Sequence, residues 1–199
     1  MKTILCLCLL LFATAGGFAQ SPKSAPALSD KQWEPLLQAM ENEDWTKAAE
    51  QSGKYLKELK QEDSEHALAR LRYIFMLASA AKVAEGQMSY DELKIALKEF
   101  IGKELMTPYI GFGAPCPAFN SICVLTSGNY DLSVTASNAK ATYIYMFQYV
   151  RLATKPDSIP KKNAGTIIGT LETIQFNPNQ SNIWIMRVFM EKATLVIGE

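Results

Sequence analysis

Across residues 107–129 the spacing of apolar side chains changes from a period near 3.6 to a period of 2, and one layer of secondary structure cannot serve both. Upstream the sequence is charged and helix-patterned; downstream it is charge-poor and rich in β-branched and aromatic residues. Residues 20–105 carry 12 basic and 15 acidic side chains, and residues 106–199 only 7 and 5. The expected fold class is therefore α+β. A four-helix hairpin layer over residues 30–106 precedes an antiparallel curved sheet or half-barrel over residues 107–199.

The first residues read as a signal peptide, residues 1–19. Lys2 supplies the positive end, residues 4–13 form a short apolar core, and Gly17-Phe18-Ala19 suits cleavage that leaves Gln20 first. That core is shorter than the roughly 20 residues a bilayer span needs. No later stretch is long enough either, so export to the periplasm or beyond is expected, without a membrane span. Cys6 and Cys8 stand too early in the signal to serve as lipoprotein anchors. Residues 20–29, rich in Pro, Ser and Ala, read as a flexible leader. The 20 basic and 20 acidic residues balance, which argues against a nucleic-acid partner, because such partners select basic patches.

From Asp30, residues Trp33, Leu36, Leu37 and Met40 trace one helix face, with Ser29 or Asp30 as cap. A second helix follows Asp44 with Trp45, Ala48, Ala49, Ser52, Leu56 and Leu59 on one side. The third, residues 65–84 with Ser64 as cap, is apolar on nearly every face, as a helix surrounded by others is. Gly86 suits its end, and Ser89-Tyr90-Asp91-Glu92 matches a capping box for the fourth. Asp44-Trp45-x-x-Ala48, continuing to Tyr55-Leu56, and Ser89-Tyr90-x-x-Leu93, continuing to Phe100-Ile101, resemble the second helix of tetratricopeptide repeats. The resemblance implies paired helical hairpins and protein–protein contacts. The family repeat is 34 residues, whereas Trp45 and Tyr90 stand 45 apart, so the third helix has to be extended. A plain four-helix layer is the alternative.

After the change of period, strands are expected at 121–125, 130–136, 141–152, 165–176, 182–189 and 193–197, separated by Gly, Asn and Pro turn signals. Short connections favour antiparallel neighbours.

Groups that carry chemistry are few. Cys116 and Cys123, flanked by Gly113, Pro115 and Pro117, are expected to form a disulfide; two free thiols or a working thiol are the alternatives. His66 is the single histidine, so a Ser-His-Asp arrangement and a histidine-based metal site have no basis. Glu41, Glu43 and Asp44 lack the spacing of a calcium loop, and Gly111-Phe112-Gly113 reads as a turn rather than a phosphate cradle. No catalytic residue, metal site or cofactor is expected. Asn179-Gln180-Ser181 forms a glycosylation sequon. Tyr143, Tyr145 and Tyr149 alternate with Phe147 along one strand and are the candidate ligand-binding residues, because tyrosine offers a flat apolar body with a polar tip. The same row suits a covered core strand. Three function classes remain: an exported binding or assembly module with protein–protein contacts, a small-ligand or glycan binder using the aromatic face, and a hydrolase built on Asp131, Asp157, Glu172 or Glu191. The shortage of catalytic groups puts the binding module first.

Overall fold

The computed structural model describes residues 28–59, 65–113, 116, 118–154 and 164–197. The signal positions, residues 20–27 of the leader, Ser64 and Asp157 lie outside the described residues, whereas Leu28, read from the sequence as part of a flexible leader, is buried in the core and Ser29 caps α1.

Four helices come first: α1 (Asp30–Glu41), α2 (Trp45–Glu58), α3 (Glu65–Ala84) and α4 (Tyr90–Leu97), the last running into a 3-10 turn, Lys98–Phe100. Local chemistry sets their ends. Asp44 accepts a hydrogen bond from the Lys47 N–H at 3.1 Å, and the Ser89–Glu92 box forms, with the Ser89 N–H donating to Glu92 at 2.8 Å. In α1 the Gln32 side chain accepts from the Ser29 N–H in the same manner. The apolar middle of α3 is buried on most of its faces, with Phe75 left partly exposed.

Seven strands follow: β1 (Glu104–Met106), β2 (Ile110–Gly111), β3 (Ile122–Val124), β4 (Leu132–Ser137), β5 (Ile144–Leu152), β6 (Ala164–Phe176) and β7 (Trp184–Ile197). They form one mixed sheet in the order β1-β6-β7-β5-β4-β3, with β2 also paired to β6. The α+β division is as the sequence implies, and one detail differs. The sheet is not fully antiparallel, because β5 and β7 run parallel. Short connections imply antiparallel neighbours only when strands adjacent in sequence are adjacent in space; here β6 lies beyond β7, so the long β6–β7 hairpin makes the crossover a helix would otherwise make. The sheet is not closed, although one segment touches both of its ends. Residues 110–111 pair with β6, while Phe112 bridges to Ile122 of β3 and the Gly113 N–H donates to the Ile122 carbonyl at 2.9 Å.

The expected strands at 182–189 and 193–197 are one strand, β7, interrupted at Lys192, whose φ is +52°. Opposite it, a Cβ on Gly169 would stand 2.7 Å from that of Ala193, so only glycine lets β6 pass. The chain also enters the sheet early, at Glu104. Between β1 and β2, Thr107 continues the ladder with both backbone and side chain: its N–H donates to the Ile167 carbonyl and its Oγ1 accepts from the Ile167 N–H, each at 2.9 Å.

Helix α3 packs on β1, β5 and β7 and carries the joint between the layers. Leu71, Met76 and Leu93 meet Leu105, Met146 and Val188 in one apolar core. Inside it, the Gln148 Nε2 donates to the Tyr73 hydroxyl at 3.1 Å. Burial pushes the Tyr73 pKa up to about 12.

Candidate functional site

The helical layer is incomplete on its outer side. Along α3, Leu68, Arg72, Phe75, Ser79 and Lys82 line one groove. Their spacing of 4, 3, 4 and 3 residues is the seam that one helix offers to another. Helix α2 forms one wall with Gly53 and Leu56, and α4 with the 3-10 turn forms the other with Ala96 and Phe100. The space between holds about 740 Å³. At about 1.5 Å per residue the stripe from Leu68 to Lys82 is about 21 Å long.

Small residues keep the groove open, and Gly53 is required for a second reason: a Cβ there would approach the Phe75 ring to 3.0 Å. Phe75 in turn meets Phe100 edge-on at 5.7 Å. Ser79 is fully buried, and its hydroxyl has no hydrogen-bond partner among the described residues. Such a group costs free energy in the fold. The rim is cationic, with Lys54, Lys57, Lys82 and Lys103 against Glu50 and Glu99. Arg72 lies below, its Nη1 held by Glu65 at 2.6 Å and the Glu104 carbonyl at 3.1 Å.

The second candidate is the sheet face turned away from α3. There Tyr149 stacks on Phe189 at 5.4 Å, and Tyr130 tilts against both at 5.7 and 5.5 Å. Phe147 meets Trp184 at 6.2 Å, and the guanidinium groups of Arg151 and Arg187 lie over Tyr130 and Trp184 at 5.4 and 5.1 Å. The five rings are half-buried.

The three tyrosines singled out in the sequence do not share this face. Tyr145 is 1% exposed and meets Trp45 of α2 edge-on at 5.2 Å. It is the extra residue of a bulge, since Ala136 pairs with Met146 and Ser137 with Ile144. A bulge breaks strict alternation and re-aims the side chain it contains. Burial, with help from Glu43 and Glu85, raises the Tyr145 pKa above the usual phenol value. Tyr143 packs against the core, which leaves Tyr149 as the member of the trio on the open face. Tyr130, from the segment before β4, and Phe189 and Trp184, from β7, complete that cluster and carry no local signal.

Cys116 and Cys123 form a disulfide that ties the exposed loop at Cys116 to the buried Cys123 of β3. Of the carboxylates, Asp131 accepts the Leu152 N–H at 2.9 Å and so finishes the β4–β5 region, Glu191 pairs with Lys192 at 3.6 Å, and Glu172 is exposed on β6. His66 is exposed at the start of α3. Among the described residues no group of three or more histidines, cysteines or acids is placed to hold a metal ion, and no helix is long and apolar enough to cross a membrane.

No protein-family model matches the chain, and neither does any curated protein or solved structure.

Proposed function

We propose that this chain is an exported binding module whose helical layer holds an amphipathic helix of a protein partner. The observation that carries the reading is the stripe of Leu68, Arg72, Phe75, Ser79 and Lys82, a helix-packing seam facing a groove of about 740 Å³ in place of a helix. Amphipathic helices dock in such grooves through residues one and two turns apart. The lysine rim selects an occupant with acidic flanks, since opposite charge at a rim steers encounter and rejects like-charged competitors. Export is supported by the signal pattern of residues 1–19 and by the Cys116–Cys123 disulfide, a bond that persists in oxidising compartments. The tetratricopeptide-like pattern around Trp45 and Tyr90 points the same way.

Site-specific photo-crosslinking in the native envelope tests this. A photoreactive residue at Ala96, in the groove wall, is expected to capture a helix-forming segment rich in Asp and Glu, and Lys54→Glu/Lys57→Glu is expected to abolish the capture. Crosslinks no different from those of a control at Thr173 on the sheet, or indifferent to the charge reversal, would overturn the assignment.

The open aromatic face supports a second reading, a site for a small ligand or glycan. The favouring observation is the pair of arginines seated on Tyr130 and Trp184, which adds anion recognition beside flat rings. A glycan panel read by thermal shift checks it, with Tyr149→Ala expected to cancel any stabilisation.

A further inference from the structure

We infer that the helix seated in the groove is α1 of a second copy of this chain, so that the molecule assembles head to tail; the inference rests on the reading of the groove as a helix site. On α1, Asp30, Glu34, Leu37, Gln38 and Glu41 are exposed. Their spacing of 4, 3, 1 and 3 residues keeps them on one stripe of the helix surface. Three of the five are acidic, and Leu37, 47% exposed, is the apolar residue among them. Trp33, half-buried beside them, widens the apolar part.

The two surfaces are complementary in three respects. Charge opposes charge on balance: Asp30, Glu34 and Glu41, with Lys31 the one cation on α1, face four lysines set against Glu50 and Glu99, and Lys54 also pairs with Glu58 at 3.8 Å. Length matches length, since the 12 residues of α1 extend about 18 Å against the groove's 21 Å. Chemistry also matches, because the exposed Leu37, beside Trp33 with Arg70 over its ring at 5.7 Å, meets Leu56, Leu68 and Phe75 in the groove. The leader of the same chain is a poor occupant by comparison. Residues 20–29 contain Lys23 and two prolines and no acid, the wrong charge and the wrong residues for a helix in a basic groove.

The stripe on α1 and the groove between α2 and α4 are different surfaces, so each copy has one of each. Such a contact is heterologous, and it builds open chains or closed rings rather than a two-fold dimer. One helix face in one groove is a small interface of the weak, transient class, and opposite charges at its rim make it sensitive to salt.

Sedimentation velocity of the purified chain decides the matter. The expected result is association that grows with concentration beyond the dimer and falls at least about tenfold between about 50 and about 500 mM NaCl. Glu34→Lys/Glu41→Lys and Lys54→Glu/Lys57→Glu are each expected to give monomers. Mixed in equal amounts, the two variants are expected to regain assembly beyond the dimer in alternating order, because the reversed α1 fits the reversed groove and the unchanged α1 fits the unchanged groove. A chain that stays monomeric at about 0.5 mM, association that ignores both reversals, or a mixture that stays dissociated would overturn the self-assembly. A monomeric chain whose Ala96 crosslinks to a different acidic protein would overturn the inference and leave the groove reading standing. Failure of both experiments would remove both.

Discussion

The groove on the helices and the open face of the sheet both bring apolar side chains to the surface, and they differ in what those side chains already touch. On the sheet every ring has a partner: Tyr149 has Phe189, Phe147 has Trp184, and Tyr130 has Arg151. Much of its contact capacity is spent within the chain. In the groove Phe75 and Phe100 meet each other, yet the floor opens on about 740 Å³ and leaves the Ser79 hydroxyl without a partner among the described residues. Exposure of apolar surface is therefore a weaker mark of a site than unfilled volume between packed elements.

Four measurements break or sharpen that contrast. The two surfaces share one core, and Tyr145→Ala should damage both, because its ring joins α2 to β5; a loss of about 3–5 kcal/mol in urea unfolding is expected, with a single transition. Two separate transitions would mean that the helices and the sheet fold independently. Removing the disulfide with Cys116→Ser/Cys123→Ser should cost about 2–3 kcal/mol on the chain-entropy account and weaken protection of β3 amides while sparing the groove. Equal loss of protection in α2 would contradict the local role given to this bond. Next, Tyr73→Phe should cost about 1–2 kcal/mol by stripping Gln148 of its partner, whereas Tyr73→Phe/Gln148→Leu should recover most of it. A double variant as weak as the single one would show that the bond matters for more than satisfying two buried groups.

The smallest effect concerns pH. Glu85, near the end of α3, has its pKa raised by burial and then by Glu43, so the folded chain holds this proton more tightly than the unfolded chain does. The cost of its charge is fully present above the folded-state pKa and disappears as pH falls to the unfolded value. Glu85→Gln should therefore flatten that part of the unfolding midpoint's pH profile between neutral and mildly acidic solution. An unchanged slope would remove Glu85 from the account.

Much of the helical layer was legible because its signals are local. The capping box at Ser89, the apolar middle of α3 and the face of α1 through Leu36 depend on residues within a few turns. The disulfide was legible for the same reason, its cysteines being seven positions apart. What escaped depends on distant partners. The parallel pairing of β5 with β7 is set by where β6 lies, and the three- and two-residue strands β1 and β2 are too short to show a period. At Tyr145 the period-2 reading failed because a bulge inserts one residue. The groove left one trace that went unread: Arg72, Ser79 and Lys82 interrupt an otherwise apolar helix at the spacing of a single face. A polar stripe in a helix buried on its other sides marks where the surrounding layer stops.

The segment that touches both ends of the sheet has a further consequence. An outermost strand presents unpaired backbone donors and acceptors, a template on which other chains add and aggregate. Residues 110–113 spend their own backbone at both sides of the sheet at once, on β6 beyond the end of β1 through Ile110 and Gly111 and on β3 through Phe112 and Gly113. Four residues thus withdraw part of each edge from the neighbours that would extend it, and leave association between copies to the helices.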